Sequence, residues 1–193
     1  MKRFLLAALA AGVVQAAAAQ ETVFKPFKVD LALGYAIPGG SSTGTKAGVI
    51  LAVEPKYALN DNIALGLRME TAVLVRLERN ASGQFTNDGD VKASGSYLAT
   101  GDYYFNTSSF RPFVGAGVGI FRNASAEITS NTTTAPEPAT STTFGFMPRA
   151  GFETGHFRTA LEYNFAGESG GLSNNYFGIK MGFFFGGGRN QNL

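Results

Sequence analysis

The 193-residue chain contains no cysteine, no tryptophan and a single histidine, His156. The absence of cysteine excludes disulfides, thiolate metal sites and a cysteine nucleophile. One histidine is too few for a histidine-ligated metal centre, so we predict no metal site and no cofactor. Only 16% of the residues are charged and 45% are hydrophobic. This composition is typical of a folded chain and not of a disordered one.

The start of the chain has the pattern of an export signal. Lys2 and Arg3 precede an apolar run over residues 4–14, and small residues follow over 15–19. That order is typical of a secretory signal peptide, and the run is too short for a membrane-spanning helix, which needs about 20 residues. We predict cleavage after Ala19, which leaves residues 20–193 as one domain.

Removal of the signal peptide makes the chain formally neutral. Lys and Arg together fall from 16 to 14 when Lys2 and Arg3 are lost, and Asp and Glu together stay at 14. The basic balance of the full chain therefore gives no reason to expect a nucleic-acid partner.

No other apolar run approaches the length of a membrane-spanning helix, so a chain embedded in lipid would have to be a closed β-barrel. The rest of the sequence does alternate between apolar and polar residues with period two, which predicts strands. Each predicted strand has about ten residues, close to the 9–11 that cross an outer membrane. The eight predicted strands cover residues 27–37, 48–57, 63–76, 96–105, 110–121, 144–153, 156–165 and 177–185.

Charged residues in these strands all fall on the face opposite to the apolar one. The apolar faces carry no charge at all. We therefore predict an interior charge network made of Lys28, Asp30, Glu54, Lys56, Arg68, Glu70, Arg76, Asp102, Arg111, Arg149, Glu153, Arg158, Glu162 and Lys180. Bases and acids nearly balance, which favours a plug of paired charges over an ion path, because eight strands enclose little more than side chains.

The connections between strands alternate between long and short. Tight turns are predicted at residues 59–62, 106–109 and 155, and long polar loops at 38–45, 77–95, 123–143 and 167–176. Short turns at one rim and long loops at the other are typical of outer-membrane barrels. An even number of strands then puts both termini on the short-turn side, which would be the periplasm.

Alternation alone allows either face to point inward. A membrane barrel turns its apolar face to lipid, whereas a soluble lipocalin-like barrel turns it inward around an apolar ligand. Many glycines lie on the polar face, among them Gly66 and Gly115, and a narrow interior needs such small residues beside long charged ones. Aromatic residues such as Tyr57 and Phe105 lie near strand ends on the apolar face, as interfacial girdles do. Both features favour the membrane barrel.

The segments KVDLALGYAIP (residues 28–38) and YFGIKMGFFFG (residues 176–186), with eight girdled strands between them, resemble the OmpA/OmpX-type family of outer-membrane barrels. The resemblance covers about residues 24–186 and implies an all-β, eight-stranded antiparallel up-and-down barrel in a bacterial outer membrane. In that family the last strand ends in an aromatic residue read by the barrel-assembly machinery. Phe183 and Phe185 resemble this signal, and residues 186–193 extend beyond it.

We expect a structural or surface-interaction protein whose long extracellular loops hold any specificity. Its partners would be outer-membrane lipid, the assembly machinery during insertion and an unknown extracellular ligand or protein. A narrow porin-like channel and a soluble lipocalin-like barrel remain the alternatives. An enzyme is least supported, because the lone His156 lies at a predicted turn without a nucleophile or orienting group beside it.

Overall fold

The computed structural model describes residues 23–39, 45–79, 82, 85–128, 139–169 and 172–190. The predicted signal peptide over residues 1–19 lies outside this part of the chain. The described residues form strands and their connections, without helices. The strands are β1 Phe27–Pro38, β2 Thr45–Ala58, β3 Ile63–Arg79, β4 Phe85–Tyr104, β5 Phe110–Ile128, β6 Ala139–Thr154, β7 Phe157–Asn164, β8 Glu168–Ser169, β9 Leu172–Ser173 and β10 Tyr176–Gly186.

Eight of these strands close into an antiparallel barrel in the order β1-β10-β7-β6-β5-β4-β3-β2. Each barrel strand pairs with its neighbours in sequence, and β1 closes the ring by pairing with β10 from Lys28↔Gly186 to Pro38↔Tyr176. Strands β8 and β9 form a separate two-stranded hairpin. The all-β, eight-stranded up-and-down barrel predicted from the period-two pattern is confirmed.

Side chains along the barrel strands alternate between the inside and the outside of the wall. On β3, Leu67 is 65% exposed and the next residue, Arg68, is 1% exposed. Large apolar side chains are exposed all around the barrel, including Leu33, Val118 and Phe183. A strand turns successive side chains to opposite faces, so the apolar set lies outside and the charged set inside. This is the arrangement of a membrane barrel and the reverse of a lipocalin-like one.

Several strands run beyond their predicted limits at one end of the barrel. Residues 85–95, expected as part of a loop, belong to β4 and pair with β3 and β5. Residues 123–128 and 139–143, also expected as loop, extend β5 and β6. These segments are polar and lack the apolar alternation, but backbone pairing in a hairpin does not depend on apolar side chains. Residues 129–138, the rest of the loop predicted over 123–143, lie outside the described residues.

The two ends of the barrel differ. One end, here called the turn end, carries the tight turns near Asn60, Asn106 and Gly155 together with both terminal segments. The other, the loop end, carries the β1–β2, β3–β4 and β5–β6 connections and the β8–β9 hairpin. At the turn end the terminal segments pair with each other, because Phe24 bridges to Arg189.

The wall is uneven in height. Strands β3 and β4 pair from Ile63↔Tyr103 to Arg79↔Phe85, whereas β6 and β7 pair only from Arg149↔Glu162 to Thr154↔Phe157. Beyond that short ladder, the described backbone pairing between β6 and the chain after β7 is a single isolated bridge, Phe146↔Phe165. The β6–β7 seam is therefore the shortest ladder of the barrel.

A charge on the outer wall tests whether that wall faces lipid. Leu67→Arg places a cation on an exposed apolar position within β3, and we expect it to lower the free energy of unfolding by about 2–4 kcal/mol if the site lies near the membrane midplane. Reversible denaturant unfolding in lipid vesicles measures the change, with Leu67→Met as the matched control. Equal stability of the two variants would contradict a lipid-facing exterior.

Candidate functional site in the barrel interior

The residues proposed for the interior network are buried together inside the barrel. Of the fourteen, thirteen are at most 8% exposed; the exception is Arg76, which belongs to β3 and whose side chain is not among those described. The thirteen come from all eight barrel strands. Their alternation with the exposed apolar residues brings them into one narrow lumen.

Eight of them form one cluster near the turn end, here called the turn-side cluster: Lys28, Asp30, Glu54, Lys56, Asp102, Arg149, Glu153 and Arg158. Lys56 Nζ lies 2.7 Å from Asp30 Oδ2 and 2.8 Å from Asp102 Oδ2. Lys28 contacts Glu153, and Arg158 Nη1 donates to the same carboxylate at 2.5 Å. With four cations and four carboxylates, the cluster is neutral.

Four more charges form the loop-side cluster: Arg68, Glu70, Glu162 and Lys180. Arg68 donates to both oxygens of Glu162, at 3.2 and 3.0 Å, and also contacts Glu70. Lys180 Nζ lies 2.8 Å from one oxygen of each carboxylate. Two cations and two carboxylates again balance, so each buried charge has a partner of opposite sign.

Two of these ion pairs cross the full width of the barrel. Glu54 on β2 accepts two hydrogen bonds from Arg149 on β6, at 2.8 and 2.7 Å. In the ring order β2 and β6 are four strands apart, and so are β3 and β7, which carry Arg68 and Glu162. Four strands is half of the ring, so these pairs join diametrically opposite walls and occupy the lumen.

Glycines on the inner face make room for these side chains. A Cβ on Gly115 would collide with Asp102 Oδ1 and would lie 3.2 Å from Arg149 Nε, the two atoms that form a 2.8 Å hydrogen bond. A Cβ on Gly66 would lie 2.9 Å from Lys56 Cγ. The inner-face glycines therefore accommodate the charge network, as the narrow barrel requires.

Uncharged polar groups complete the network, and sequence reasoning did not single them out. Tyr104 donates its hydroxyl to Glu153 at 2.7 Å, Tyr176 donates to Glu70 at 2.6 Å and Thr100 donates to Glu54 at 2.6 Å. Asn164 accepts from Arg68 at 3.3 Å. Because side chains alternate along a strand, the inward position of Tyr104 and Thr100 could be predicted from the sequence. Their hydrogen-bond partners could not, since these depend on which residues lie at the same height in the closed barrel.

Apolar side chains fill the interior next to the charges. Toward the loop end, Tyr176 packs with Ile50 and Leu74, and a second group holds Phe121, Met147 and Ala166. Among the turn-side charges, Arg158 lies over the ring of Phe113, 3.7 Å from its centroid. A void of about 20 Å³ bordered by Glu54, Arg149 and Lys180 has room for about one water molecule. Apolar side chains and ion pairs therefore share the described interior.

His156 is exposed in the turn between β6 and β7 and lies against Phe184, with the ring centroids 5.3 Å apart and the ring planes tilted by 32°. Within the described residues there is no group of three or more His, Asp or Glu side chains arranged to hold a metal ion. No helix in the same part of the chain has the length and apolar character to cross a membrane.

A closed eight-stranded barrel with an apolar exterior and a charged interior defines the class of outer-membrane β-barrels. Residues 4–185 match the model of the outer membrane protein beta-barrel domain. The chain belongs to this family, and it is an integral protein of the bacterial outer membrane.

Solved structures of outer-membrane barrels share the fold. Ail, the attachment invasion locus protein of Yersinia pestis, in complex with the heparin analogue sucrose octasulfate, matches with a TM-score of 0.57 and 13% identity over 83% of this chain and 99% of that one. Neisserial surface protein A matches with a TM-score of 0.56 and 18% identity, over 83% of this chain and 96% of that one. OprG from Pseudomonas aeruginosa matches with a TM-score of 0.50 and 13% identity, over 86% of this chain and 98% of that one. No curated protein matches the chain significantly.

Removing one member of the loop-side cluster should leave a buried charge without its partner of opposite sign. We expect Arg68→Met to lower the free energy of unfolding by about 3–5 kcal/mol, because Glu70 and Glu162 then share a single cation. The double variant Arg68→Met with Glu162→Gln restores neutrality and should recover part of that loss. Denaturant unfolding in vesicles measures both, with Arg122→Met, at an exposed position, as the control. Equal unfolding midpoints for Arg68→Met and Arg122→Met would contradict the network.

Proposed function

We propose that the barrel is closed to ions and that the protein acts at the cell surface, as a structural or surface-interaction protein, through its loop end. The observation that carries the proposal is the pair of salt bridges between diametrically opposite strands, Glu54–Arg149 and Arg68–Glu162. Each occupies the lumen at its own level. Buried charges held by several hydrogen bonds are costly to separate, so these bridges resist the passage of a hydrated ion.

The apolar groups toward the loop end add a second obstruction. Ala166, fully buried, follows β7 and packs against Phe121 and Met147. Its carbonyl accepts a 2.5 Å hydrogen bond from Thr143 Oγ1 on β6. The chain after β7 thus folds back onto the interior instead of leaving a wide mouth, which supports a closed barrel over a narrow porin-like channel.

The uneven wall supports a role for the loop end. Strands β3 to β6 continue well past the exposed aromatic residues Tyr97 and Phe144, whereas β7 ends at Asn164. The extended strands form a tall sheet that would carry the β3–β4 and β5–β6 connections away from the membrane surface. Connections held on a rigid sheet are suited to recognition. Ail, which shares the fold, was solved in complex with the heparin analogue sucrose octasulfate.

The orientation follows from the predicted signal peptide and from the even strand count. Export directed by residues 1–19 would deliver the chain to the periplasm, and insertion from that side would leave both terminal segments and the tight turns there. On the last strand, Phe183 and Phe185 are 61% and 63% exposed on the outer wall. We propose that the barrel-assembly machinery reads this aromatic pair during insertion.

Planar-bilayer recordings test the closed lumen. We expect the refolded protein to give no steady current where a porin in the same bilayers conducts, and the charge-neutral double variant Glu54→Ala with Arg149→Ala to stay silent because the apolar groups toward the loop end remain. A narrow channel predicts the opposite result. It requires stepwise currents from the unaltered protein and a changed conductance in the double variant.

The absence of cysteine makes the orientation directly testable. Thr140 lies on the tall sheet at the loop end and Ser109 in a turn-end connection, and both are exposed. In intact cells we expect a membrane-impermeant maleimide to label Thr140→Cys and not Ser109→Cys, which should react only after the outer membrane is permeabilised. The reverse labelling pattern would contradict the proposed orientation.

A further inference from the structure

Among the described charges of the interior network, pairing leaves one cation without a partner in either cluster. The turn-side and loop-side clusters are each neutral, and Arg111 belongs to neither. Its nearest described carboxylate oxygen, Glu153 Oε2, lies 3.9 Å from Arg111 Nη1, and Glu153 is already shared by Lys28 and Arg158. Each other described cation of the interior network has a carboxylate oxygen within 3.0 Å. Arg111 is thus a buried positive charge without a close anion of its own.

The guanidinium of Arg111 is fixed in place by its surroundings. It lies between the rings of Phe24 and Tyr104, 3.9 and 4.1 Å from their centroids, and Nη2 donates to the carbonyl of Asp61 at 2.7 Å. Arg111 is 8% exposed, and its Nε has no hydrogen-bond partner. Buried charged donors that lack partners are costly, so this guanidinium favours a further acceptor beside it.

A cavity of about 210 Å³ lies beside these groups at the turn end. Arg111, Arg189, His156 and Glu153 line it, and Phe24 and Phe184 form apolar walls. Arg189 lies against the same Phe24 ring as Arg111, 6.0 Å from the centroid. Two guanidinium groups therefore face one chamber, and the volume is sufficient for a small oxyanion with several waters.

Glu153 contributes a hydrogen-bond acceptor to the same cavity, whereas the two arginines contribute donors. Its Oε2 is buried and accepts no hydrogen bond, whereas its Oε1 accepts from Lys28, Tyr104 and Arg158. Lys28 and Arg158 neutralise the charge of the Glu153 carboxylate. Its Oε2 atom is therefore a free acceptor that does not strongly repel an anion. A ligand that bridges the 3.9 Å gap must accept from Arg111 and donate to Glu153.

We propose that this cavity, here called the turn-end pocket, binds a small protonated oxyanion such as hydrogen phosphate. Its oxygens would accept from Arg111 Nη1 and from the Arg189 guanidinium, and its hydroxyl would donate to Glu153 Oε2. The pocket opens inside the barrel mouth, away from the lipid-facing wall, so the ligand is a water-soluble anion and not a lipid headgroup. Binding does not depend on the proposed closed lumen; only the compartment that supplies the anion depends on the proposed orientation.

Calorimetric titration of the refolded full chain with inorganic phosphate tests the pocket. In an uncharged detergent at constant ionic strength we expect saturable binding, and about tenfold or greater weakening in Arg111→Gln, which removes the buried cation and the charge-assisted hydrogen bond that it donates. Arg122→Gln removes an exposed charge elsewhere and should bind as the unaltered protein does. No saturable binding, or equal weakening by both substitutions, would overturn the proposal.

A second variant covers the case in which Arg111→Gln fails to fold. Arg189 is exposed, so Arg189→Gln should preserve the barrel, as judged by its heat-dependent gel mobility, and still weaken phosphate binding several-fold. Unchanged affinity in this variant, with the fold intact, would contradict the two-arginine pocket.

Two further titrations identify the ligand class. Sulfate cannot donate to Glu153 Oε2 and should bind about tenfold more weakly than phosphate; equal affinity would overturn the choice of a protonated oxyanion. Phosphate affinity should be the same in nanodiscs of zwitterionic and of anionic phospholipid. A loss of affinity confined to the anionic bilayer would mean that a lipid headgroup occupies the pocket, which contradicts a soluble ligand.

Discussion

The structure depends on the pairing of buried charges within a lumen only eight strands wide. Each carboxylate and cation taken from water must regain its solvation from neighbours, and a single unpaired member is costly. The two neutral clusters meet that requirement through groups on several strands at once, so closing the barrel and satisfying the charges are one event. A strand displaced by one residue would turn its charges to lipid and remove their partners together.

The pairing explains why neighbouring strands tolerate like charges. Lys28 lies directly opposite Lys56 on β2, and Asp30 lies opposite Glu54. Such neighbours repel one another when considered alone. In the barrel this repulsion is offset by opposite charges, some across the lumen, as with Lys28 and Glu153, and some diagonally across the same strand pair, as with Lys56 and Asp30.

Strand parity was sufficient to predict the fold and the inner face, because Arg68 and Leu67 must point in opposite directions on any strand. Parity could not predict that Arg68 meets Glu162, since that contact depends on the stagger of the closed sheet and joins residues 94 positions apart. The lengths of β4 and β5 were underestimated for a different reason. Their polar halves carry no apolar alternation, and only backbone pairing in the hairpin extends them.

The short ladder between β6 and β7 has a consequence for how the wall comes apart. Cooperative stability is not uniform in a closed sheet, and a segment with few paired residues opens at a lower free energy than its neighbours. Pro148, which carries no backbone N–H, lies where that ladder ends. The barrel therefore opens most readily between β6 and β7, and the tall sheet from β3 to β6, which borders this seam, would stay paired longest as the barrel unfolds.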